Sequence, residues 1–205
     1  AGMNSATAVG GQANAAGLGS TSIGWQSKAT AERAQAFGHL ANASGVRATA
    51  VGEAAMAGGT NDTVAIGNKA NASMNSATAV GGEANAAGLG STSIGWQSKA
   101  TAERAQAFGH LANASGVRAT AVGEAAMAGG TNDTVAVGNK ANAGMNSATA
   151  VGGEANAAGL GSTSIGWKSK ATGERAQAFG HLANASGIRA TAVGEAAAAQ
   201  GEASI

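Results

Sequence analysis

The sequence contains no cysteine, no proline and no tyrosine, and aromatic residues make up only 3% of its 205 positions. The lack of cysteine excludes disulfide staples and thiolate metal sites, and is compatible with life outside a cell. With so few large rings, the chain cannot fill the wide core that an ordinary globular domain of this length needs. It offers mostly Ala, with one Val, Ile or Phe at intervals, and such material fills only a thin core. Charge is equally sparse: the formal net charge is +1, so no field steers nucleic acid or an acidic membrane toward the chain. No apolar run reaches the length of a bilayer span, and no segment has the pattern of a secretory leader. The chain opens and stops in mid-pattern, which reads as a piece of something longer.

What is abundant is glycine, 34 residues of it, and repetition. The stretch Asn4 to Gly17, NSATAVGGQANAAG, is a 14-residue unit centred on Val9-Gly10. A large apolar residue followed by Gly returns at Ile23-Gly24, Phe37-Gly38, Val51-Gly52 and Ile66-Gly67, and so on to Val193-Gly194. The spacing is 14 residues except between Gly52 and Gly67 and between Gly123 and Gly138, where it is 15. A short period kept over a whole chain is the signature of a solenoid. A longer period overlies it: MNSATAVGG recurs at Met3, Met74 and Met145, giving blocks of 71 residues, the third cut short. The whole of 1–205 therefore reads as one repeat region. The additional residue of the 15-residue units falls in GGTND (Gly58 to Asp62, Gly129 to Asp133), where paired Gly is expected to supply a loop with positive φ.

Aligned in phase, the units become columns. Before the central Gly, Ala6 and Ala8, Ser20 and Ser22, Ala34 and Ala36 alternate with Thr7 and Val9, Thr21 and Ile23, Gln35 and Phe37. This is period-2 alternation over five residues, a short strand with a small face and a larger apolar face. Past the Gly, Ala13 and Ala15, Ser27 and Ala29, Ala41 and Ala43 alternate with mostly polar partners such as Gln12 and Asn14, Gln26 and Lys28. Each unit is thus a coil of two short strands and two tight turns, with glycines such as Gly10, Gly17, Gly38 and Gly45 at the turns. A helix is the competing reading for the Ala-rich stretch Ser27 to Ala43. It would have to carry Gly38 inside it, at about 1 kcal/mol against Ala.

The first strand is apolar on both faces. One face is buried inside the coil, and the other would form a continuous apolar stripe of Val, Ile and Phe, or of Ala, on the surface. Monomers rarely tolerate such a patch. Burial against copies of the chain in a closed cyclic oligomer resolves it, although the pattern alone fixes neither the inward face nor the number of copies.

The unit N-S-x-A-x-[VIF]-G-x-x-A-x-A-x-G, as in Asn4 to Gly17 and in TVAIGNKANA (Thr63 to Ala72), resembles the head repeat of trimeric autotransporter adhesins of the YadA type, and it does so over essentially all 205 residues. The resemblance implies an all-β, left-handed parallel β-roll of 14-residue coils, assembled as a homotrimer. It further implies a non-enzymatic bacterial surface adhesin that attaches to host extracellular matrix or cells and self-associates, tethered to the outer membrane through a stalk and a barrel absent from this sequence. Fourteen coils at about 4.8 Å would make a rod about 65–70 Å long. The chain departs from the family in its recurrent Phe, in Thr or Gln where the family favours Val, and in the two 15-residue coils.

Candidate contact residues lie just after the central Gly, where the column is most varied. It reads Gly11, Trp25, His39, Glu53, Asn68, then Gly82, Trp96, His110, Glu124, Asn139, and in the third block Trp167, His181 and Glu195. In-phase stacking predicts Trp25 beside His39 and His39 beside Glu53. A repeated exposed Trp suits a binding anchor; the plainer alternative is that Trp covers the seam between coils or packs on a neighbouring chain. The histidines read as turn residues, with a metal shared around a trimer axis as the other possibility. Glu32, Arg33, Arg47 and Lys28 read as a solvated face with weak ion pairs. GEAAMAGG and GLGS lack the Lys-Ser/Thr ending of a phosphate loop. The sequons at Asn42-Ala43-Ser44 and Asn61-Asp62-Thr63 are read as coincidence in an Asn- and Ser-rich chain.

No catalytic constellation, cofactor or metal site is predicted. Two further classes share the solenoid pattern. An ice-binding solenoid needs an unbroken Thr ladder, and Gln35 and Val64 interrupt this one. A rigid spacer that presents another binding domain of the same fibre is the alternative function.

Overall fold

The computed structural model describes residues 1–205. It contains strands, turns and bends and no helix. Each coil supplies one three-residue strand and one two-residue strand, and each set stacks in parallel, about fourteen coils in all. Contacts group the chain into two compact units, Ala1–Arg104 and Ala105–Ile205, so the division falls inside the second 71-residue block.

In the first unit one sheet runs through Thr7–Val9, Thr21–Ile23, Gln35–Phe37, Thr49–Val51, Val64–Ile66, Thr78–Val80 and Thr92–Ile94, in one-to-one register. The other runs through Asn14–Ala15, Lys28–Ala29, Asn42–Ala43, Met56–Ala57, Asn71–Ala72, Asn85–Ala86 and Lys99–Ala100. The second unit repeats the arrangement, from Gln106–Phe108 to Thr191–Val193 in one sheet and from Asn113–Ala114 to Ala198–Ala199 in the other. The Ser27 to Ala43 stretch holds three of these strands. Its amides bond to the next coil, Lys28 N–H to Ala41 C=O and Gln35 N–H to Ala48 C=O, both at 2.8 Å. The Gly at its centre, Gly38, sits at φ +133, a backbone that no helix contains.

The small residues face inward. Four per coil are fully buried, as with Ala34, Ala36, Ala41 and Ala43. In every fifth coil Ser replaces three of them, as at Ser20, Ser22 and Ser27 beside Ala29. There Ser27 Oγ donates to the Gly24 carbonyl at 3.1 Å, and Ser22 and Ser27 hydroxyls lie 2.7 Å apart, so the pair satisfies its own hydrogen-bonding need. The larger residues face outward: Val9, Ile23, Ile66, Ile94, Ile165 and Val193 are exposed, and Phe37, Val51 and Val80 are half-buried. Thr21, Gln35 and Thr49 share that outward face, so its apolar row runs beside a polar one.

The GGTND coil differs from expectation. Neither Gly58 nor Gly59 takes a positive φ; Asp62 does, at +52, as does Asp133. Gly59 is required for a different reason, since a Cβ there would lie 2.3 Å from the Met74 backbone and 2.6 Å from Thr63 Cγ2. The backbone of the following coil passes too close for any side chain.

Candidate functional site

The turn that follows each three-residue strand builds the candidate site. The central Gly bends the chain, the next residue stands at the apex, and the residue after that adopts the left-handed conformation: Gln26 at φ +53, Leu40 at +58, Ala54 at +54. Its amide points back to the preceding coil. Leu40 N–H donates to the Trp25 carbonyl at 3.0 Å, Ala54 N–H to that of His39 at 2.8 Å, and Lys69 N–H to that of Glu53 at 2.8 Å. These bonds hold successive apex residues one above another, which is why the column in the sequence becomes a column in space.

The apex side chains engage each other as the in-phase columns predict. Trp25 stacks on His39 with ring centroids 5.0 Å apart and planes 14° from parallel. His39 Nδ1 lies 3.8 Å from Glu53 Oε1, and Asn68 Nδ2 donates to Glu53 Oε2 at 3.1 Å. In the second unit Trp167 stacks on His181 at 5.0 Å and 9°. Glu195 Oε1 lies 3.4 Å from His181 Nδ1, and Glu124 Oε1 lies 4.0 Å from His110 Nδ1. Trp96 belongs to the first unit. All three indoles remain accessible, 49%, 48% and 44% exposed at Trp25, Trp96 and Trp167. Glycine on the preceding coil makes room for each: a Cβ on Gly11 would come 2.9 Å from Trp25 Cδ1, and one on Gly82 3.0 Å from Trp96 Cδ1.

Beside the apex column runs a second one, made of the left-handed residues, which reading from the sequence did not single out. Gln26 Nε2 donates to Gln12 Oε1 at 2.7 Å, Gln97 Nε2 donates to Glu83 Oε2 at 2.7 Å, and Lys168 Nζ lies 3.8 Å from Glu154 Oε2. Lys168 Nζ also sits 4.1 Å from the Trp167 ring centroid. The signal for this column was the change from Gln26 and Gln97 to Lys168; its meaning depends on where the side chain folds.

At the other turn the charged residues pair across coils. Arg47 grips Asp62 through both oxygens, Nε to Oδ1 at 2.6 Å and an Nη to Oδ2 at 2.7 Å, and Arg118 grips Asp133 in the same way at 2.7 Å and 2.7 Å. The Arg47 guanidinium, chiefly by hydrogen bonding, holds the Asp62 carboxyl below the ordinary aspartate range against the opposing effect of desolvation, with its charge adding a smaller push in the same direction. Arg33 stays beside its neighbour Glu32 at 3.8 Å with both side chains open to water, the weak solvated pair expected. A recess of about 300 Å³ near this turn is lined by Gly58, Gly59, Thr60, Ser73, Met74, Asn75 and Leu89. It holds no titratable side chain, and the apex column lies at the other turn.

Chemically, the exposed edge offers aromatic faces, imidazoles, carboxylates and amides set at coil spacing on a rigid backbone. It brings no nucleophile and base together. These features define a repeat-built, all-β parallel solenoid. The sequence profile of the YadA head domain repeat (2 copies) matches the chain in thirteen segments from residues 1–27 to residues 185–205, nearly all of them overlapping. Matches begin 14 residues apart at 1, 15, 29 and 43, and the step breaks between 43 and 72 and between 114 and 143, around the 15-residue coils. The chain belongs to the YadA head family, the head repeats of trimeric autotransporter adhesins, a structural adhesin family and not an enzymatic one. No curated protein sequence matches it.

Proposed function

We propose that this segment is the head of a homotrimeric adhesin fibre on a bacterial surface. It attaches to host extracellular matrix or cells and to other copies of itself, and parts of the chain beyond this segment tether it to the outer membrane. Head repeats along the whole segment support this reading most directly. The outward face of the three-residue strands supports the assembly: a row of Val, Ile and Phe, exposed or half-buried in the single chain, is the surface that packing against copies would cover. Attachment then runs through the opposite resource, the apex edge, where an exposed indole recurs at Trp25, Trp96 and Trp167 and modest contacts are multiplied by three chains.

Light scattering on the purified segment is expected to give the mass of three chains, with a β circular dichroism spectrum; a folded monomer would remove the trimer. Replacing the three Trp by Ala is expected to abolish adhesion to a matrix-coated surface while leaving the trimer intact. One observation favours the spacer reading instead: Trp25, His39, Glu53 and Asn68 satisfy each other along the edge, as a purely structural ladder would. Undiminished adhesion by the triple-Ala trimer would decide for the spacer.

A further inference from the structure

The three blocks carry nearly the same edge with three different charge states, and one of them shows what the edge holds. In the third block the Lys168 ammonium lies 4.1 Å from the Trp167 centroid and 3.8 Å from Glu154 Oε2. Glu154 belongs to the coil before Trp167, and His181, on the coil after it, covers the other indole face. The cation therefore sits between the Trp167 indole and the carboxylate of the preceding coil. An indole face attracts an ammonium through its quadrupole, and the carboxylate adds charge pairing.

In the second block the indole (Trp96), the glycine (Gly82) and the carboxylate (Glu83) are all retained, and the lysine is replaced by Gln97. Gln97 donates to one carboxylate oxygen of Glu83, a hydrogen bond from an uncharged amide in the place of an ion pair. In the first block the carboxylate is gone as well, with Gln12 and Gln26 bonded to each other beside Trp25. The series runs from Gln12 with Gln26, through Glu83 with Gln97, to Glu154 with Lys168.

We infer that the edge at Trp96 and Glu83 receives a lysine ammonium from a basic segment of a partner protein, in the position that Lys168 fills for Trp167. The inference rests on the reading of the apex edge as a contact surface and assigns the chemistry of what it contacts. With a net charge of +1, the chain exerts no long-range pull on a basic partner, so recognition is local to this slot. Gln97 yields its bond to Glu83 as the ammonium enters. The neutral slot at Trp25 binds more weakly, and the slot at Trp167 is closed by its own lysine.

The test uses the trimeric segment with Phe in place of two of the three Trp, so that a single indole reports by fluorescence, titrated with capped hexalysine. The protein that keeps only Trp96 is expected to respond, and the one that keeps only Trp167 to stay silent, with no further substitution needed. Glu83→Gln is expected to weaken binding about threefold to fivefold, as the loss of one exposed charge pair does. Gln97→Lys is expected to abolish the Trp96 response, and Lys168→Gln to create one at Trp167. No response at Trp96, or equal responses from Trp96 and Trp167, overturns the inference. A failed titration with adhesion intact removes this slot and leaves the adhesin reading. A sound titration with no adhesion to matrix or cells keeps the slot and removes the adhesin reading.

Discussion

At the scale of single residues, backbone conformation and side-chain identity part company in the turns. Gly38 is a glycine on two counts: its φ is +133, and a Cβ on it would stand 2.6 Å from the Gly52 carbonyl oxygen. Gly38→Ala is expected to cost about 2–3 kcal/mol, since that region of backbone space is essentially closed to side chains and the neighbouring coil cannot retreat. Ala54 is the opposite case, a left-handed residue at φ +54 that carries a side chain it does not use for the turn. Left-handed backbone costs an L-residue about 1–2 kcal/mol, part of which glycine's own entropy takes back, so Ala54→Gly is expected to stabilise by about 0.5–1 kcal/mol. Thermal melts of the two variants should move in opposite directions. The glycine column was legible because only one residue type fits it. The left-handed column was not, because Gln12, Gln26, Leu40, Ala54 and Lys69 have nothing in common as residues. The bond each amide makes to the previous coil, such as Leu40 N–H to Trp25 C=O, imposes the conformation from outside.

At the scale of the coil, alternation revealed the strands but left the inward face open, because Ala rows and Val rows are both apolar. Cross-section decides it: two strands of three and two residues closed by tight turns leave room for four small groups, Ala or Ser in most coils, and Thr63 and Thr134 are the largest side chains held there. Ala36, fully buried in that space, makes the point testable. Ala36→Leu is expected to destabilise by at least about 1–3 kcal/mol, the usual cost of overpacking, seen as an earlier denaturant midpoint. The 15-residue coil shows a second limit of pattern reading. Gly58 and Gly59 look like turn-makers, yet Asp62 takes the positive φ and is anchored by Arg47. The pairing depresses the Asp62 pKa, so the carboxylate contributes stability that is fully present above the unfolded-state aspartate pKa, about 3.9, and is lost as pH falls through the lower folded value. Asp62→Asn should therefore lower the melting temperature at neutral pH and leave it nearly unchanged at the acid end of that window. Equal losses at both ends would assign the effect to something other than the charge.

At the scale of the molecule, one-to-one register makes whole blocks interchangeable. Removing residues 74–144 joins Ser73 to Met145 and recreates the native sequence around Ser73-Met74, since both blocks begin MNSATAVGG. The shortened chain is expected to keep the β spectrum per residue and cooperative melting, whereas a deletion seven residues shorter, half a coil out of phase, should not fold. The same register made the Trp25, His39 and Glu53 neighbours readable in advance; the seat of Lys168 over Trp167 was not readable, because it depends on how one flexible side chain lies. The longer coils carry a consequence of their own. Their additional residue is absorbed wholly at the second turn: Thr49 pairs with Val64, Met56 pairs with Asn71, and Lys69 still donates to the Glu53 carbonyl. The fold thus absorbs a change of coil length at residues 58–62, around the tightly packed Gly59 and the Asp62 anchor, while the edge on the other side keeps its spelling.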